Sequence, residues 1–441
     1  MNTVRPLLLL SISVMIAACE IDQEKIDLWK TTENGPKKLA GAMIDPEQAM
    51  EIRVMGAIAL IELNSWDLYR EAFQKMDKAD AQKVIAALAP KLGEISRGEN
   101  AGKAEQTPSK KQIDAKDGLF LLLDIAGPEN RDAVEKPLVA WCVEGNYNRR
   151  AMAGYNIRAI VKKIGAPAAL ELTKLLNIDQ IAIEPIAKLI RDVNDPAALA
   201  AASAHVAAQL RGNVAQIQDK HLIAAAVVGG DDVASALLDL ATEKNLDVEL
   251  QRFALRAYSQ SIDTGYIKPD RAQIDRLFAM AENPQYDKRH REETYLTLSQ
   301  AGGKDDVPRI AKLLESEDPF WRLTGMRCVL RIDGEGQLAM VLRSKGLATD
   351  TENIDAVIGW IAKFPKLLPA VRELLQGDDV FSRAVAVYVL GMKGEKATDV
   401  PALEKLASDK AKLPAGFDHG TLGDAAKAAL EGLAQKKGSE R

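Results

Sequence analysis

Residues 368–391 read LPAVRELLQGDDVFSRAVAVYVLG. Pro369 stands where a helix begins, because a first-turn N–H has no intrahelical acceptor to lose and the φ of proline is already helical. An apolar position follows at Leu374, then a turn bearing Asp378-Asp379, then an apolar-rich stretch led by Arg383. Counting from that arginine, Ala386 lies three positions on and Leu390 seven, a small and a large residue on one helical face. Such a face packs closely against neighbouring helices. The stretch reads as helix, turn and helix.

The same order of signals recurs outward from this stretch. Proline to leucine five positions later is found at Pro167, Pro308, Pro369 and Pro401, each expected to start a helix. In residues 307–330, VPRIAKLLESEDPFWRLTGMRCVL, the turn is Asp318-Pro319 and Arg322 again stands 14 positions after the proline. Aligning on the arginine collects RVMGAIAL from Arg53, RAMAGYNI from Arg150, REETYLTL from Arg291, RLTGMRCV from Arg322 and RAVAVYVL from Arg383. Gly165, Gly302 and Gly391 are placed to end this second helix as left-handed caps. Spacings of 31 between Arg291 and Arg322 and 61 between Arg322 and Arg383 set a period near 31, in the range of stacked helix pairs.

On these residues the chain resembles the HEAT family, in particular its bacterial branch of lyase-type short repeats. The likeness is good over 142–176 and 283–433 and poor over 177–250, where Asp195-Pro196 and Asp231-Asp232 read as turns of degenerate units. The last unit, with FDHGTLGDAAKAALEGL at 417–433, lacks the arginine, as a capping repeat would. Tetratricopeptide repeats fit less well, since their Trp-Leu-Gly-Tyr signature is missing and the period is short. The resemblance implies an all-α fold, an α-solenoid of stacked antiparallel helix pairs with a right-handed superhelix. It also implies a structural ladder of hydrogen bonds carried by Asp318, Arg322, Asp378 or Asp379, and Arg383. The other reading of these arginines is anion binding.

Residues 1–19, MNTVRPLLLLSISVMIAAC, have signal-peptide grammar: Arg5, an apolar run from Leu7 to Ile16, then two alanines before Cys19. The run is about half the roughly 20 residues that a bilayer span needs. Its ending resembles the bacterial lipobox, which implies cleavage before Cys19 and acylation of that cysteine; the alternative is an ordinary cleaved signal. By the same resemblance, Glu20 rather than Asp after the cysteine favours the outer membrane, with the chain facing the periplasm. The expected organisation is a signal over 1–18, a tether over 19–36, helical repeats over 37–95, a flexible linker or loop over 96–116, a repeat array over 117–435 and a polar tail over 436–441. The alternative for 96–116 is a docking segment.

Composition agrees with a helical body, at 47% hydrophobic but only 5% aromatic residues. The net charge of −5, one unit more negative without the signal, offers no field for phosphate, so nucleic acid is not an expected partner. Cys142 and Cys328 fall in different repeats, too far apart to bridge, and are expected as buried free thiols.

The residues that carry chemistry are few. His205, His221, His290 and His419 form no chelating pair, and His290 reads as part of a solvated helix start. Gly229-Gly230-Asp231-Asp232 and Asp333-Gly334-Glu335-Gly336 lack the continuations of a phosphate or calcium loop and read as turns between helices. No nucleophile elbow is present, and no metal or cofactor is expected. Among five tryptophans, Trp321 stands in a turn just before a repeat arginine and is the one marked as a possible binding residue. The expected function is a membrane-tethered, periplasm-facing scaffold of the bacterial envelope that binds a protein partner and performs no catalysis. The alternative is an enzyme, or a lyase-type repeat protein, acting on an unknown substrate.

Overall fold

The computed structural model describes residues 21–98, 107–144, 147–344, 347 and 353–435, so the signal segment, Cys19 and the tail over 436–441 lie outside them. Twenty-four α-helices make up most of the described residues, and the only extended pairing among them is an isolated bridge between Lys412 and Thr421. The fold is all-α. Two compact units divide it, one ending at Val206 and the other beginning at Ala207, a division inside the helix Pro196–Gly212 and within the expected array over 117–435.

In the second unit the stacking is that of a helical repeat. Val248–Asp263 packs on Lys288–Ala301, which packs on Pro319–Arg343, which packs on Val380–Lys393, which packs on Leu422–Gln435. Each of these is also covered by a shorter partner, such as Arg271–Glu282 on Lys288–Ala301 and Leu368–Leu374 on Val380–Lys393. Val385, Val387 and Leu390 are fully buried in the stack, each stabilising it by about 1.5–3 kcal/mol. The first unit repeats the pattern: Met50–Glu62 packs on Lys78–Arg97, and that helix on Pro128–Val143.

The punctuation holds in part. Pro167, Pro308 and Pro369 sit in the first turns of their helices, and Asp318 and Asp379 cap the helices that follow by accepting from the N–H groups of Phe320 and Ser382. Pro401 instead lies inside the helix Lys396–Leu406, where the preceding residues supply a turn of their own. Gly165 closes Ile157–Ile164 with φ at 80°, whereas Gly302 is extended. Gly391 is within a helix: a Cβ there would lie 2.9 Å from Cβ of Ala429, so its role is close approach of two helices. Arg150 ends the single turn Tyr147–Arg150, and 151–156 form a turn rather than the body of a second helix.

Parts of two segments expected to be flexible are helical, while 19–20 and 99–106 lie outside the described residues. Within 19–36, Gln23–Lys30 is a helix capped by Asp22, with Ile26 buried against the next two helices. Within 96–116, Ser96 and Arg97 end one helix and Lys110–Leu122 begins another, opened by a Ser109–Gln112 capping box. Ala115 and Lys116 are buried there, so tertiary contact supplies the stability that the polar local sequence lacks. Gly229 and Gly230 form the expected turn between helices, with φ of 64° and 87°, whereas the stretch 333–336 is helical apart from a kink at Asp333, where φ is −146°.

Candidate functional site

A groove of about 970 Å³ lies in the first unit where the end of Lys78–Arg97, the start of Lys110–Leu122 and the second half of Pro128–Val143 converge. Its floor follows from proline and glycine. Pro90 and Pro137 stand inside their helices and lack the N–H that would bond four residues back. Gly93 faces Pro137 so closely that a Cβ at 93 would lie 2.9 Å from its Cγ. The helix backbones approach at that point, and the larger side chains of the lining stand around it.

The rim carries both signs of charge. Arg97 pairs with Glu144 at 3.3 Å, Lys111 faces Glu62 at 3.9 Å and Lys136 pairs with Asp132 at 2.8 Å. Arg150 lies flat against Trp141, its guanidinium carbon 4.8 Å from the ring centroid, and donates to the Trp141 carbonyl at 3.4 Å. Trp141 is buried, and its Nε1 has no hydrogen-bond partner among the described residues.

Behind Trp141 lies a buried ion pair that the sequence did not announce. Lys116 is 0% exposed; its ammonium donates to the carbonyls of Ala153 and Tyr155 at 2.7 and 2.6 Å and meets Asp117 at 2.5 Å. Asp117 also accepts from the Tyr155 N–H at 2.9 Å. Burial pushes the Lys116 ammonium below its ordinary range, with Asp117 opposing that shift. All three ammonium protons have acceptors, so the pair clamps the turn over 151–156 and, through it, Arg150 and Trp141. Gly154, at φ 57°, is required where a Cβ would meet the Asp117 carboxylate.

The expected site residues have the following places in the structure. Cys19 lies outside the described residues. Asp318 takes Lys288 at 2.6 Å, and Arg322 donates to the Ser316 and Glu317 carbonyls at 2.9 Å each. Asp379 caps its own helix, and Arg383 reaches forward to Asp409 at 2.6 Å. Among the described residues no hydrogen bond of the Asp378 side chain joins this set. Trp321 is not in a turn: it is the third residue of its helix, half-buried, edge-on to Tyr295 and Phe320, with Arg291 4.7 Å from its ring centroid. His290 is 1% exposed and bonds the Ala241 carbonyl at 2.7 Å, so the expected solvated helix start is a core position.

Cys142 and Cys328 are buried free thiols, each pushed up to about 12 by burial. Among the described residues no group of three His, Cys, Asp or Glu side chains is placed to hold a metal ion. No helix of the described residues is long and apolar enough to cross a membrane. No family model matches the chain, and no curated protein matches it either.

Proposed function

We propose that this chain is a lipid-anchored, periplasm-facing scaffold of a bacterial envelope, built of HEAT-like repeats, whose groove beside Trp141 binds a segment of a protein partner. The observation that carries the reading is the groove itself: a recess lined by Pro90, Gly93 and Pro137 together with side chains of both charges. Arg97, Lys111 and Lys136 already face carboxylates, so the rim offers a polypeptide both donors and acceptors and offers a phosphate backbone little unpaired charge. The clamp formed by Lys116 and Asp117 holds the recess in shape before binding, which lowers the ordering cost of association.

The alternative of an enzyme would call on Lys116, a buried titratable group behind the groove. Its three protons are committed to Ala153, Tyr155 and Asp117, which favours a structural role.

The test is crosslinking in living cells followed by purification of the mature protein from membranes. A photo-reactive residue at Lys136 is expected to trap a reproducible partner, and the charge reversals Arg97→Glu and Lys136→Glu to reduce that yield several-fold without changing the melting temperature. Cys19→Ser is expected to abolish fatty-acid labelling and release the protein from the membrane fraction. A full yield of crosslinked partner from the double reversal rejects the groove. Unchanged labelling in Cys19→Ser rejects the anchor.

A further inference from the structure

The folded body begins almost at the anchoring cysteine. Asp22 caps the helix Gln23–Lys30, Ile26 is buried, and Lys30 ties the helix to Glu62 of the helix Met50–Glu62 at 2.8 Å. The turn after it is equally tight, since a Cβ at Gly35 would overlap the Trp29 carbonyl. This first helix is therefore part of the first unit's core. Three residues separate Cys19 from Gln23, and the four Cα–Cα steps limit their distance to about 14 Å even when fully extended. The polar headgroup layer of one leaflet is itself about 5–8 Å thick. An acyl chain on Cys19 thus places the first helix at the bilayer surface.

What that helix exposes suits the position. Leu28 is 60% exposed, Ile21 and Trp29 are partly so, and the Lys38 ammonium lies 5.9 Å from the centre of the Trp29 ring. An apolar side chain beside a tryptophan–lysine pair is the composition that settles at the boundary of headgroups and acyl chains. Residues 21–38 carry four acids and four bases, so neither a zwitterionic nor an anionic leaflet repels them.

We infer that the first helix is a membrane-contact element: Leu28 and the Trp29–Lys38 pair rest in the headgroup layer of the bilayer that holds the acyl chains, and dock the first unit on the membrane instead of letting it swing on a tether. This rests on acylation of Cys19. The occupant of the surface is phospholipid, and the contact adds an orientation to an attachment that lipid alone leaves free to rotate.

The experiment uses the full mature acylated protein in phosphatidylethanolamine–phosphatidylglycerol vesicles, with a nitroxide on Leu28→Cys and, for reference, on Asp67→Cys or Lys136→Cys. Those two side chains are 88% and 77% exposed elsewhere in the same unit, and the native Cys142 and Cys328 are buried, so the label goes to the introduced thiol. The ratio of oxygen to nickel-chelate accessibility at 28 is expected to exceed both references several-fold. A ratio at 28 equal to the references, in protein whose N-terminal lipopeptide is confirmed by mass, overturns the docking and leaves the anchor standing. A mature chain without acyl groups on Cys19 overturns both.

Discussion

Arg53 grips Asp80 with two guanidinium nitrogens, at 2.8 and 2.5 Å, while its Nε donates to the Met43 carbonyl at 3.0 Å. The arginine is buried and the aspartate lies 27 positions on, in the first turn of the following long helix. Arg383 repeats the relation with Asp409 over 26 positions. At these two positions the repeat arginine therefore ties one helix pair to the next, and at Arg322 it closes the turn of its own pair.

Removing this tie exposes its worth. Arg53→Ala leaves Asp80 and the Met43 carbonyl without their donor and is expected to destabilise the first unit by about 2–4 kcal/mol. Arg53→Lys recovers little of it, because one ammonium cannot reproduce a planar fork. Urea unfolding followed by circular dichroism measures both; an Arg53→Lys protein as stable as the parent contradicts the forked geometry.

The buried pair behind the groove makes a second prediction. Lys116→Met leaves the Asp117 carboxylate buried without its cation, a loss expected at about 3–5 kcal/mol, and releases the turn over 151–156. Limited proteolysis then cuts near the exposed Met152 in the variant while sparing the parent. Equal protease resistance in the two proteins argues that the turn is held by other contacts.

At Gly391 the helices Val380–Lys393 and Leu422–Gln435 approach too closely for a side chain. Gly391→Val is expected to cost about 1–3 kcal/mol by forcing them apart, and Ala429→Gly to return part of it. Thermal melts of the single and double variants give the coupling between the positions, and strictly additive effects place the strain elsewhere.

Acid acts through His290. Its Nε2 faces a carbonyl, which only accepts, so the neutral ring carries its proton there, while Nδ1 is buried without a partner. Burial holds its pKa below 6.5, so the unfolded chain takes up a proton first as the pH falls. The stability from this group is whole above about pH 6.5 and declines below it, by about 1.4 kcal/mol for each unit of pKa difference. His290→Gln, which keeps a donor, is expected to flatten the decline measured between about pH 7.5 and pH 5.5. A slope unchanged by the substitution assigns it to other groups, such as His205, whose pKa is also lowered by burial.

Thiol titration checks both burial and anchoring. With Cys142 and Cys328 pushed up to about 12, the native acylated chain is expected to give no reaction with a disulfide reagent and two thiols after denaturation. A third thiol in the denatured mature chain shows that Cys19 is not in a thioether.

The repeat was legible because its signals are local. Pro369, Asp379 and Arg383 report their own turn chemistry, and the small–large spacing after the arginine reports a packed face whatever it packs against. Where the signal was composition alone the reading failed: residues 110–116 look polar, yet Lys116 is among the most buried side chains, since its charge is met by carbonyls 37 and 39 positions away. The short first helix was missed for the same reason, as Ile26 gains its burial from later helices.

The sequence by itself determined the helical class, the repeat with its turns, the buried thiols and the grounds for expecting a lipid on Cys19, because each depends on residues close together in the chain. Only the tertiary structure decided where the arginines bind, how the groove is assembled from three helix ends, that His290 is core rather than surface, and that residues 23–30 fold as a helix within the expected tether. Each of those depends on which distant groups meet and exclude water, and pairing across 26 to 49 positions leaves no periodic mark on the chain.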